Sequence, residues 1–89
     1  MHDWLLISVC YDWAEKQVLL ILRDIDDNEV PLRAKNTCEL QLTHRNPWGP
    51  SASINKIVGP TKEERGQRLE IHMQSGDVIT ILASSFEMP

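Results

Sequence analysis

Cysteine, glycine and basic charge are all scarce in this chain, and each shortage removes a class of protein. Cys10 and Cys38 are the only thiols, too few for a disulfide scaffold or a structural zinc site. Both lie inside apolar runs, which predicts two buried free thiols. The four glycines are scattered, so there is neither a glycine-rich phosphate loop nor a G-x-S-x-G turn around an activated serine. Lys and Arg number 9 against 13 Asp and Glu, for a net charge of −4. Nucleic acid and anionic membranes both require a basic face, so neither is expected as a partner. No apolar run approaches the ~20 residues of a membrane span. The run Leu5 to Val9 has no positive residue before it and no small-residue cleavage site after it. It is therefore not a signal peptide, and a cytoplasmic location is the expectation.

Chemistry-bearing clusters are lacking as well. His2, His44 and His72 are the only imidazoles, and no pair has helical or strand spacing for a shared metal. His72 falls on a polar strand face beside Glu70, and His44 follows Leu40 and Leu42 in parity, at the edge of the core. The segment Asp24-Ile25-Asp26-Asp27-Asn28-Glu29 begins like a calcium loop. It carries Glu29 where that loop needs glycine and Lys35 where it needs the closing glutamate. A hairpin turn rich in Asp and Asn is the better account. No acid pair sits in an evident apolar pocket. The expectation is a non-catalytic protein with no cofactor and no metal.

What the chain does have is a period of two. With 89 residues, 42% of them hydrophobic, it is expected to form one domain, 1–89, around a single core. Alternating or β-rich stretches run over Leu5 to Tyr11, Gln17 to Asp24, Glu29 to Lys35, Thr37 to Arg45, Ser53 to Val58, Arg68 to Gln74 and Val78 to Ser84. Only Trp13 to Gln17 and Pro60 to Gln67 could hold a helical turn, and the second is polar enough for an exposed loop. The fold class predicted is all-β: an antiparallel meander of six or seven strands closing toward a small barrel or a two-layered sandwich.

Cross-strand parity sharpens this expectation. A turn at Trp13 to Lys16 pairs Tyr11 with Val18, Val9 with Leu20 and Ile7 with Leu22. One at Asp26 to Asn28 pairs Leu22 with Leu32, and one at Lys35 to Thr37 pairs Leu32 with Leu40. A turn at Gln74 to Gly76, with Gly76 in a left-handed conformation, pairs Ile71 with Ile79 and Leu69 with Ile81. Leu20, Leu40, Ile71 and Ile81 are then core. Pro31 lacks a backbone donor and belongs at an edge, at a bulge or facing solvent.

Two features suggest contacts. The segment Asn46-Pro47-Trp48-Gly49-Pro50-Ser51 is stiffened by two prolines. Trp48 either plugs one end of the core or stands out as a rigid aromatic anchor for a partner, and Trp13, in the first turn, invites the same two readings. In the first hairpin, Leu6, Cys10, Leu19 and Ile21 have the wrong parity for the core yet are apolar, as are Val78 and Leu82 in the last strand. Either the sheet folds over to bury both faces, or Leu6, Leu19 and Ile21 meet another subunit in a homodimer.

The loop Pro47-Trp48-Gly49-Pro50-Ser51 with Ser53-Ile54-Asn55, and the later run Leu69-Glu70-Ile71-His72-Met73-Gln74-Ser75-Gly76-Asp77-Val78-Ile79, resemble a group of small bacterial all-β proteins with no assigned activity. The resemblance also touches Asp12-Trp13. It implies a free-standing bacterial cytosolic protein and transfers no site residue. The functional expectation is a protein-binding or assembly module. By size and charge alone it is comparable to small acidic immunity proteins that neutralise toxins. The alternative is a small-ligand carrier with a cavity near Trp48 and Tyr11. Trp13, Trp48, Leu6, Leu19 and Ile21 are the candidate contact residues.

Overall fold

The computed structural model describes residues Met1 to Pro89 and contains strands and turns only. The strands are β1 (Leu5–Asp12), β2 (Gln17–Arg23), β3 (Glu29–Leu42), β4 (Ile54–Glu63), β5 (Gly66–Met73) and β6 (Val78–Glu87). All neighbours are antiparallel, in the order β1-β2-β3-β6-β5-β4. Two three-stranded meanders are thus joined through β3 and β6, and the all-β antiparallel reading stands. The sheet curls but does not close. Its two edge strands touch only at their first residues, where Leu5 bridges Ser53, Ile54 N–H donates to Trp4 O at 2.7 Å and Leu6 N–H donates to Ala52 O at 2.9 Å.

Curling puts one face of every strand inside. Val18, Leu20 and Leu22 of β2, Leu32 and Ala34 of β3, Leu69 and Ile71 of β5 and Ile81 and Ala83 of β6 have no exposed surface, and Ile54 joins them from β4. Burial of each large aliphatic side chain contributes roughly 1.5–3 kcal/mol. Leu20, Ile71 and Ile81 are core as expected, and Leu40 packs against it half-buried. The last hairpin has the expected register, Leu69 with Ile81 and Ile71 with Ile79, and Gly76 has φ +93°.

Three departures each lie at a register slip. There is no hairpin at Lys35 to Thr37. β3 runs straight through as 14 residues, and Leu40 pairs with Ile81 rather than with Leu32. Asn36 takes φ +52°, Thr37 is buried with its N–H on Lys16 O at 2.8 Å, and the register against β6 slips between Thr37 and Glu39. Inward positions therefore step 32, 34, 37, 40 instead of keeping strict alternation, and Cys38 is thrown outward. In β1 the slip lies between Leu6 and Ser8, so Leu6, not Ile7, opposes Leu22. The third is β4, which continues past Val58 through a slip at Gly59-Pro60 and pairs Glu63 with Gly66, where the sequence suggested a loop.

The second hairpin also differs, by two residues. Leu22 pairs with Val30 and Leu20 with Leu32, because the turn extends from Asp24 to Asn28. Asp24 Oδ1 accepts the N–H groups of Asp26 (3.0 Å) and Asn28 (2.9 Å), which holds that wider turn. A shift of two preserves parity, so the core face is unchanged. Pro31 sits in β3 opposite Ile21 of β2, just before Arg33, where the pairing of β3 with β6 begins.

Candidate functional site

Both thiols are exposed, so the expectation that Cys10 and Cys38 are buried is corrected. Cys10 faces away from the core beside Leu19, and Cys38 is the residue expelled by the β3 bulge. Apolar neighbours in sequence do not bury a residue whose parity or bulge points it outward.

The tryptophans resolve in the same direction. Trp13 is 84% exposed and Trp48 81%. Trp48 plugs nothing. The turn carrying Trp13 is set by Asp12 Oδ1, which accepts Glu15 N–H at 3.0 Å, and by Lys16, whose carbonyl receives Thr37 N–H. Tyr11, expected in the core, instead leaves it at this end of the sheet and meets the Trp13 ring edge-on, with centroids 5.8 Å apart and planes at 84°. The pair lines a 330 Å³ cleft with Thr37, Cys38, Glu39 and Leu40. An aromatic pair of this geometry holds its own shape, at about 0.5–1.5 kcal/mol beyond area burial.

Trp48 is held from behind. Its N–H donates to Ser75 O at 2.9 Å, and its indole lies across Gly76, where a Cβ would stand 2.9 Å from Pro47 Cγ and 3.0 Å from Trp48 Cδ2. The organiser of this loop is Asp77, only 3% exposed. Its Oδ1 accepts Arg45 N–H (2.7 Å) and the Thr43 hydroxyl (3.1 Å), and its Oδ2 accepts Asn46 N–H (2.9 Å) and the Ser75 hydroxyl (2.8 Å). These donors, the Arg45 N–H foremost, lower its pKa to about 2 against the opposing effect of desolvation. Sequence reasoning placed Asp77 only beside a turn. The neighbouring Ser75-Gly76 was a turn signal, but three of the four partners of Asp77 lie more than 30 residues earlier.

A larger cleft of 520 Å³ opens at the end of the sheet where the edges meet, lined by Leu6, Ile7 and Val9 of β1, Leu42, His44 and Ile79 among others. Ile7 and Leu42 are 43% and 47% exposed there. Neither cleft brings Trp48 and Tyr11 together, which corrects the cavity expected between them. His44 does not cap the core but stands exposed on the cleft wall. His72 pairs with Glu70 at 2.9 Å, and His2 Nδ1 lies 2.6 Å from Asn55 O. No three His, Cys, Asp or Glu side chains converge as a metal site.

The outward apolar set is smaller than expected. Leu6 belongs to the core side, swung inward by its bulge, and this corrects its assignment to an outer patch. Leu82 is buried to 1% within its own chain, opposite Arg68 and Glu39 on the neighbouring strands. Leu19 and Ile21 remain half-exposed on the outer face of β2, opposite Cys10 and Ser8 of β1 and Arg33 and Pro31 of β3. The chain has no helix long and apolar enough to cross a membrane. Comparison with protein families, curated proteins and solved structures gives no match.

Proposed function

We propose that this chain is a non-catalytic protein-binding module that presents aromatic anchors on a rigid sheet. The observation that carries the reading is Trp13, 84% exposed yet braced edge-on by Tyr11 beside a cleft. An exposed indole held in one geometry has little rotamer entropy left to lose, which is the property of interface hot spots. Trp48, pinned through Ser75 and Gly76, is a second anchor of the same kind. The test is affinity capture from the cells that make the protein, followed by reconstitution with the purified partner. Trp13→Ala should weaken the reconstituted complex by at least about 2 kcal/mol. Undiminished binding by both Trp13→Ala and Trp48→Ala would refute the proposal.

A second reading, a small-ligand carrier, is favoured by the 520 Å³ cleft. Its apolar wall of Leu6, Val9, Met73 and Ile79 carries Thr43, His44 and Asn46 as polar points. A thermal-shift screen of amphipathic small molecules, repeated on Val9→Trp to fill the cleft, tests it. Stabilisation seen in the wild type and lost in the filled variant would support it.

A further inference from the structure

The sheet has two open edges, and they are built differently. The outer edge of β4 is blunted: Lys56 and Lys62 are exposed along it, Pro60 has no N–H to donate, and the strand is broken by the register slip between Val58 and Thr61. These are the devices by which edge strands refuse another strand. The outer edge of β1 has neither the lysines nor the proline, and its one register slip, between Leu6 and Ser8, leaves Ser8 to Asp12 in unbroken register with β2. From Leu5 to Tyr11 it carries no charge, no proline and no glycine. Beyond Leu6 N–H, which is taken by Ala52 O, no backbone hydrogen bond reaches that edge. The 520 Å³ cleft runs along Leu6, Ile7, Ser8 and Val9 and leaves room beside it.

We propose that the β1 edge pairs with the β1 edge of a second copy of this chain, antiparallel, about a two-fold axis at Val9. Three observations select that occupant. The chain has a net charge of −4, so two copies repel except along a neutral segment, and Ile7 to Tyr11 is such a segment on an open edge. Pairing of β1 with β4 of another copy would propagate into a filament, but β4 is blunted, and only the self-paired arrangement closes. With the axis at Val9, the two exposed apolar residues of the strand, Ile7 (43%) and Tyr11 (36%), come opposite one another across the seam. Ser8 then faces the partner's Cys10, while Asp12 lies beyond the paired stretch. This goes beyond the anchor reading, since Trp48 takes no part and Trp13 lies beyond the paired stretch, touching it only through Tyr11.

The experiment is sedimentation over a concentration series, with circular dichroism on every variant. Ser8 and Cys10 are exposed, so substitutions there leave the core alone. The double variant Ser8→Lys with Cys10→Lys sets like charges opposite one another and should raise the dissociation constant by about tenfold. Ser8→Lys with Cys10→Glu sets opposite charges there and should retain the dimer. In a Cys38→Ser background, Ser8→Cys should form a disulfide-linked dimer with native Cys10 on oxidation, and should lose it when Cys10→Ser is added. A wild type that is monomeric at every concentration overturns the proposal. So does a dimer that survives the lysine pair but is broken by Leu19→Glu, because the interface would then be the outer face of β2. Retention of the dimer by Trp13→Ala separates this result from the fate of the anchor reading.

Discussion

Asp77 Oδ1 accepts the backbone N–H of Arg45 at 2.7 Å across 32 positions of sequence, and the same carboxylate holds Thr43, Asn46 and Ser75. One side chain thereby ties the β5–β6 turn to the loop that displays Trp48. It satisfies backbone donors that would otherwise be left unpaired where β3 ends.

That relationship gives the protein an acid limit. The folded-state pKa of Asp77 is about 2, below its ordinary 3.8. A depressed carboxylate contributes stability that is fully present above the unfolded value and is lost as pH falls through the folded one. Asp77→Asn should be less stable than wild type at neutral pH, with the gap narrowing between about pH 4 and pH 2. Glu63 and Glu87, lowered by Arg68 and Lys35 respectively, act in the same direction but are common to both proteins. Urea denaturation of the pair across that window checks it, and a gap independent of pH would contradict the assignment.

Gly76→Ala should destabilise the fold by about 1–3 kcal/mol. A non-glycine residue at φ +93° is strained, and the new methyl would press on Pro47 and Trp48. Chemical denaturation gives the cost. A change in Trp48 fluorescence should accompany it, because the loop must shift to make room.

Core truncations should rank by burial. Leu20→Ala, Ile71→Ala and Ile81→Ala should each cost about 2–5 kcal/mol, since all three side chains are fully enclosed. Leu40→Ala should cost less, its side chain being half-buried against the same cluster. Equal costs at all four positions would show that Leu40 is better packed than its surface implies.

The two outward leucines should behave oppositely. Leu19→Glu, on a half-exposed face, should leave the far-ultraviolet spectrum and melting curve close to wild type. Leu82→Glu places a charge at a site 1% exposed and should unfold the domain or cost several kcal/mol. Circular dichroism melts of the two variants decide it.

Much of the fold was legible because strand alternation is a property of neighbouring residues. Val18, Leu20 and Leu22, or Leu69, Ile71 and Met73, declare their buried face whatever they pair with. The 74–76 turn was legible too, since Gly76 marks the left-handed position. Even the two-residue slip of the second hairpin left the core unchanged, because parity survives it. Bulges are different. Nothing in Leu6-Ile7-Ser8 or Thr37-Cys38-Glu39 announces the extra residue, as it arises where a long strand must bend to follow a curling sheet.

The sequence by itself therefore determined the class of fold, most of the core face, the position of the last turn and the two tryptophan-bearing loops, all of which rest on local pattern. Tertiary structure alone decided that Lys35 to Thr37 passes straight through, that Leu6 turns in while Cys38 turns out, and that both indoles stand in solvent. It also decided that Asp77 collects donors from two distant segments. Each of these depends on which strand lies alongside and how far the sheet curls, and a period-two pattern carries no information about either.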